Sequence, residues 1–352
     1  MQRRTFLAVI PAAVAGTAFR VPAMAEEVLP VYNLVGTFMN WNVIVDAYAR
    51  KTGVRPTLGL RSGSSPALVA LKLETRHPQA SAAYWSLDIA VDAKKEGVTV
   101  PYFPQGIDVV PTNLKDKDGH WWAIASTNVI IGVNDKVLAE RGVKPPASFA
   151  DLLKPEYKGL AACMDPTWSG TASVFMYGIN FVLGGTKTDF RPGMRWLKAF
   201  AANGQQFRSE LVSPRLALGD AAITVDAEGG ILTPRAKGAP VSAVVPAEGV
   251  VSAALGMSLA KGGPKRAEAE AFMDWLLGAE AQRLIAEGYF RPVREDAIPA
   301  QVAQGLPRID NLVSLDIPHQ ATTVATLKRA FVEIVMRDGD VDRVLGRHGL
   351  AG

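Results

Sequence analysis

The sequence predicts an α/β protein of two lobes, and three observations lead there. Short runs rich in branched and aromatic residues alternate with segments of helical spacing along the 352-residue chain, the pattern of helices layered on largely parallel sheets. Glycines and prolines punctuate the joins, yet no low-complexity linker and no repeat interrupts them. Once an N-terminal leader ending at Ala25 is set aside, 352 − 25 = 327 residues remain, more than the roughly 250–300 at which a single core stops growing. Two lobes joined by more than one crossing strand account for the missing linker better than two beads on a string.

The leader comes first. Arg3-Arg4 precede Thr5-Phe6-Leu7, a mild apolar run reaches Phe19, and Ala23-Met24-Ala25 closes the segment. A charged start, about 7–15 apolar residues and an A-x-A exit form a secretory signal, shorter than the roughly 20 apolar residues that span a bilayer. The cut is expected before Glu26, which sends the mature protein to the periplasm. Paired arginines followed by Phe-Leu resemble the twin-arginine signal of proteins exported already folded; an ordinary Sec signal that happens to hold two arginines is the alternative. The leader carries three arginines and no acid, so the mature chain has 38 − 3 = 35 basic against 34 acidic side chains, and its net charge falls from +4 to +1. That balance argues against a nucleic-acid or membrane surface. Cys163 stands alone, so no intrachain disulfide forms although the expected compartment is oxidising, and the core holds by packing. No second long apolar segment follows, and the mature protein is expected to be soluble.

Within the mature chain, Leu29 to Val35 predicts the first strand. Trp41, Ile44, Val45 and Tyr48 then recur at helical spacing and stop at Gly53, suited to a left-handed position just past a helix end. Ser64-Ser65-Pro66 opens a second helix, since serine caps and proline suits the first turn, where its missing N–H is not needed. Val129 to Val133 and Ala221 to Val225 are candidates for buried strands. From 267 to 287, Phe272, Trp275, Leu276, Leu284 and Ile285 share one helical face that ends at Gly288.

Several phrases carry a resemblance. Pro146 to Gly159, reading P-A-S-F-A-D-L-L-K-P-E-Y-K-G, resembles the P-x-[ST]-[WF]-x-D-L-x-x-P-x-Y-K-G phrase of periplasmic solute-binding proteins of ABC importers, the family 1 group with ferric-, polyamine-, phosphonate- and sugar-phosphate-binding members. Glu74 to Ala80 and Asp165 to Gly170 are similar to two further stretches of that group, and Ala267 to Val293 to the helix and turn that follow the return crossing. The resemblance implies the two-lobed, type II periplasmic-binding-protein fold. Lobe one would hold 26–127 and 250–300, and lobe two 128–249 and 301–352. The crossings would lie near Ser126-Thr127-Asn128 and Val250 to Leu255, with lobe closure as a hinge motion. It also implies a monomer whose partners are a small-molecule ligand and the membrane permease of an importer, with no cofactor.

Parallel α/β lobes bind ligands beyond the carboxyl ends of strands, where helix N-termini present free N–H groups. Two segments have that form: Arg61-Ser62-Gly63-Ser64-Ser65-Pro66, and Trp168-Ser169-Gly170-Thr171-Ala172. Facing each other, they would clamp a phosphate, phosphonate or carboxylate; plain helix capping would use the same serines and threonines. Thr37 and Phe38, with Trp85 and Trp122, are candidates for the cleft wall, with ordinary core packing as their alternative. Trp41 shares the helical stripe and belongs to the core, and Trp196 and Trp275 to helix packing.

Metal and catalytic chemistry find little footing. His77, His120, His319 and His348 are scattered and Cys163 has no partner. Ferric-binding members of the resembled group use adjacent tyrosines after a strand of the second lobe, where this chain has Asp226-Ala227-Glu228-Gly229-Gly230. Asp226 and Glu228 would suit an ammonium group, or form a solvated loop pair. Gly256-Met257-Ser258-Leu259-Ala260 lacks the last glycine of a hydrolase elbow, and Gly184-Gly185-Thr186-Lys187-Thr188 lacks P-loop spacing. The expected function is therefore capture of a small polar solute, anionic or zwitterionic, and not catalysis. A polyamine or ferric-ion carrier, a periplasmic enzyme and a receptor-coupled sensor are the rivals.

Overall fold

The computed structural model describes residues 27–352, so the expected leader and its cut before Glu26 lie outside the described residues. The chain opens with β1 (Glu27–Leu29), β2 (Val31–Tyr32), α1 (Trp41–Thr52), β3 (Val54–Pro56), α2 (Ser64–Leu73), β4 (Ala82–Ser86), α3 (Leu87–Lys95) and β5 (Thr99–Val100). A long strand β6 (Trp122–Asn134) leads to α4 (Asp135–Glu140), β7 (Ala161–Met164), α5 (Gly170–Val182), α6 (Arg191–Ala202), β8 (Gln206–Arg208), α7 (Ser213–Leu218), β9 (Ile223–Ala227), α8 (Glu228–Ala236) and β10 (Val241–Val244). A second long strand, β11 (Val250–Ala260), returns to α9 (Arg266–Leu276), α10 (Ala279–Glu287) and β12 (Arg291–Pro292), and α11 (Ala300–Gly305), β13 (Leu312–Val313), α12 (Ile317–Phe331) and α13 (Val341–Arg347) close the chain.

Local chemistry explains most boundaries. Gly53 takes φ +76 and its N–H bonds Ala49 O, ending α1 where the glycine stood in the sequence. The first strand differs from Leu29 to Val35: Pro30, without an N–H, separates β1 from β2, and Asn33 at φ +67 turns the chain away. The single helix expected over 267–287 is two, because Gly278 takes an extended conformation (φ −74, ψ 156) between α9 and α10.

The main sheet runs β2-β4-β11-β6-β9-β7-β8, with β10 and β12 on β6 and β5 and β13 on β11. Its ends are parallel, β2 with β4 on one side and β9-β7-β8 on the other. The sequence suggested largely parallel sheets; the two long strands instead bring antiparallel pairing into the middle. There Ser126, Thr127 and Asn128 lie opposite Ala254, Ala253 and Ser252. Core membership changes at the same place. Along β6 the first apolar cluster ends at Ala125 and the second begins at Val129; along β11 Val251 belongs to the second and Ala253 to the first. Helices α9 and α10 pack in the first cluster, while α12 and α13 pack in the second.

Two expected cleft residues are instead interior. Every residue of β4 is buried, so Trp85 has no open face, and its Nε1 donates to Ser258 Oγ at 3.1 Å. Trp122 is 1% exposed and packs against Tyr102 with ring centroids 6.1 Å apart. A strand covered on both faces gives no alternation by which a wall residue could be told from a core residue.

The register shifts between Leu255 and Gly256, just beyond the crossing, and a Cβ on Gly256 would lie 2.2 Å from Trp122 O. Gly256→Ala should therefore destabilise the protein by about 1–3 kcal/mol or more, whereas Gly36→Ala, with nothing within 4 Å of the new methyl, should not. Urea unfolding of the two variants checks the contrast.

Candidate functional site

The site is built where strands end and helices begin. Beyond β2, Asn33 pins the opening of α2: its Oδ1 accepts from Gly63 N at 2.6 Å and its Nδ2 donates to Tyr84 O at 2.7 Å. Gly63 stands at φ +96, and a Cβ there would lie 2.9 Å from both Nε1 and O of Trp168, so only glycine fits. The first backbone bond of α2 runs from Ala67 N to Gly63 O. The N–H groups of Ser64 and Ser65 precede it, and Pro66 has none.

The opposing wall is made the same way. After β7, Asp165 organises a turn: Oδ1 accepts from Thr167 N at 2.7 Å and Thr167 Oγ1 at 2.6 Å, and its carbonyl accepts from Trp168 N and Ser169 N. Ser169 caps α5 by accepting from Ala172 N at 3.2 Å, and the first helical bond is Ser173 N to Ser169 O. The N–H groups of Gly170 and Thr171 lie ahead of that bond. A Cβ on Gly170 would come within 2.5 Å of Ser64 Oγ and of Ser86 Oγ. The two openings named from the sequence thus meet, and glycine lets them.

Between them lies a cavity of about 40 Å³, lined by Asn33, Ser64, Tyr84, Trp168, Ser169, Gly170 and Thr171 with Phe38, Leu211 and Leu255. At roughly 10–15 Å³ per water centre, that is the room of about three waters, or one compact polar head. A larger compartment of about 170 Å³ shares Phe38 and Leu211 with it and is lined by Thr37, Asn40, Asn42, Ser213, Gly229, Gly230, Thr233, Lys237 and Phe290 among others. Phe38 meets Phe290 edge-on at 4.9 Å. No Asp or Glu lines either compartment, and Lys237 is the one cation. Positive helix ends without a facing carboxylate favour an anion.

Of the residues named from the sequence, Thr37, Phe38, Gly63, Ser64, Ser169, Gly170 and Thr171 line this space. The others do not. The Arg61 guanidinium, more than half exposed, donates to Glu74 at 3.2 Å, and Ser62 Oγ donates to Gly59 O. Ser65 Oγ accepts from Lys328 Nζ at 2.8 Å. Trp85 and Trp122 lie in the core. Asp226 and Glu228 are buried and engaged: Ser213 Oγ and Ala227 N donate to Asp226, while Glu228 accepts Arg291 Nε at 2.7 Å, Arg291 Nη2 at 3.0 Å and the amide groups of Asn128. They are neither a solvated pair nor open to an ammonium group. Sequence reasoning missed Asn33, Ser213 and Phe290; Ser213-Pro214 repeats the Ser-Pro opening of Ser65-Pro66 and was a usable signal. Among the described residues, no three His, Cys, Asp or Glu side chains are grouped to hold a metal ion, and no helix is long and apolar enough to cross a membrane.

Comparison with known proteins decides the family. The family model of the bacterial extracellular solute-binding proteins matches residues 88–312, well over half the chain. The chain belongs to this family. Its fold is that of type II periplasmic binding proteins: the periplasmic binding protein AfuA from Actinobacillus pleuropneumoniae, with exogenous fructose-6-phosphate bound, superposes with a TM-score of 0.77 at 21% identity over 88% of this chain and 98% of that one. The periplasmic binding protein P5PA gives 0.76 at 25% identity over 88% and 99%. An uncharacterized protein of Haemophilus influenzae is 29% identical over 279 residues, 77% of this solute-binding protein and 78% of that relative. Family and neighbours are binding proteins, and solute-binding proteins of ABC importers hand small ligands to a permease.

Burial pushes the Asp226 carboxyl up to about 6 from 3.8, against the opposing bonds from Ala227 N and Ser213. The folded form therefore holds this proton where the unfolded chain has lost it. Its stabilising contribution is full below about pH 4 and is lost as pH rises through 6, on the order of 3 kcal/mol. Asp226→Asn should melt above the wild type at pH 7.5, with the gap closing by pH 4. Thermal unfolding across that range reads it, and a gap independent of pH would contradict it.

Proposed function

We propose that this chain is the periplasmic solute-capturing component of an ABC importer, and that its solute is a small polar anion or zwitterion carrying a phosphate, phosphonate or carboxylate head. One observation carries the reading: the N-termini of α2 and α5, with Ser64, Ser169, Gly170 and Thr171, converge on a cavity of about 40 Å³ that no carboxylate lines. The head sits there and the body of the solute occupies the adjoining compartment between Phe38 and Phe290. That AfuA holds fructose-6-phosphate on a similar fold supports a phosphate head. A twin-arginine leader ending at Ala25 delivers the protein.

Lobe one comprises 26–127 and 250–300, and lobe two 128–249 and 301–352, hinged at Ser126 to Asn128 and Val250 to Leu255. The mechanism is a population shift. A head that touches both helix ends does so only with the lobes together, so its binding free energy accrues to the closed form, which the permease recognises. The protein works as a monomer and performs no chemistry. A polyamine reading loses its acids, since Asp226 and Glu228 are engaged, and a ferric reading lacks adjacent tyrosines after β9.

Hydrogen bonds to a charged group are worth about 1.5–3 kcal/mol, so losing one weakens binding roughly tenfold or more. In titration calorimetry with inorganic phosphate, fructose-6-phosphate and a phosphonate, Ser64→Ala and Thr171→Ala should each show that loss. Arg61→Ala and Asp226→Asn should bind like the wild type. Binding of polyamines or Fe(III) in place of all three anions would overturn the proposal.

A further inference from the structure

Helix α12 carries Val324, Leu327 and Phe331 into the second apolar cluster, yet Lys328 on the same helix reaches the other way. Its Nζ donates to Ser65 Oγ at 2.8 Å, on the first turn of α2, 263 positions distant in sequence. The carboxylates of Asp88, Asp92 and Asp165 act on the ammonium through space, and burial lowers its proton affinity. Asp165 organises the turn that opens α5, and Ser65 lies in the opening of α2. The ammonium is therefore bonded to the opening of α2, one residue from Ser64, which lines the small compartment. Asp88, which follows β4 at the start of α3, is 2% exposed and makes no ion pair among the described residues; burial pushes its carboxyl up, opposed by the Lys328 charge and by local bonds from Ser86 and the Ile89 N–H. A half-buried cation bonded to a neutral hydroxyl, with its counter-charges out of ion-pair contact, is an under-compensated arrangement on its own. An anion on the far side of Ser64-Ser65 would supply what it lacks.

We propose that Lys328 is a positioning residue for the anionic head, a partly buried positive charge that acts on the ligand through Ser65 and the α2 N-terminus, and that Asp88 opposes it. The inference rests on the anionic reading of the site. Charges held in a poorly solvated interior act over several ångströms far more strongly than in water, so the two residues tune affinity in opposite directions. A pair kept only for packing would affect stability alone, or would shift affinity in one direction.

Titration calorimetry of the whole mature chain with inorganic phosphate and with fructose-6-phosphate tests it. Lys328→Met should weaken binding about tenfold, Lys328→Arg should restore it to within about threefold of wild type, and Asp88→Asn should tighten it about threefold. A folded Lys328→Met protein that binds within twofold of wild type overturns the proposal, and so does an Asp88→Asn variant that binds no better or worse than wild type. Should Lys328→Met fail to fold, the sign of the Asp88→Asn effect decides alone. If Ser64→Ala weakens binding and Lys328→Met does not, this inference falls and the anionic site stands. If the wild type takes neither phosphate probe, both fall.

Discussion

The contact that the rest of the structure depends on is the approach of Gly170 to Ser64 and Ser86, with its companion between Gly63 and Trp168. In each pair a missing Cβ lets the start of one helix come against its neighbours, and a methyl group would collide at 2.5 to 2.9 Å. Two helix openings brought together share one small compartment, and in the proposed site their free N–H groups supply the positive field without a charged side chain. The proposal makes the hydroxyls of Ser64 and Thr171 donors to an anion in that setting.

The same requirement explains the sheet. The proposed closure needs two rigid bodies and a narrow join, and the proposed join is the stretch where β6 and β11 run side by side from Ser126 to Asn128. The apolar clusters part at that stretch, while Val174 and Ala227 cross into the first cluster and keep the bodies in register. Glu228 ties Asn128 in the join to Arg291 on β12. Its buried carboxylate is matched by a guanidinium and two amides, so it leaves no open acceptor for a ligand.

What could be read from the sequence was what local chemistry decides. Gly53 ends α1 and Ser169 caps α5 because capping depends on neighbours within one turn; α2 also opens at Ser64-Ser65-Pro66, but with Gly63 at the cap position and no side-chain cap bond, and these openings named half of the small compartment. Residues whose meaning depends on distant partners escaped. Glu228 finds Arg291 63 positions away, and Ser65 finds Lys328 263 positions away. Trp85 and Trp122 misled for another reason: an aromatic on a strand buried on both faces has the same local signature as one facing a cleft. Pro30 and Gly278 were visible as breakers, but their neighbours' apolar periodicity outweighed them.

A crystal structure of the mature protein grown with fructose-6-phosphate tests the central claim most directly. The account predicts a tetrahedral anion in the small compartment, within hydrogen-bonding distance of Ser64 and Thr171, with the sugar extending toward Phe38 and Phe290. A phosphate held instead at Lys237 on the rim, or a small compartment left to water while ligand fills the larger one, would contradict it.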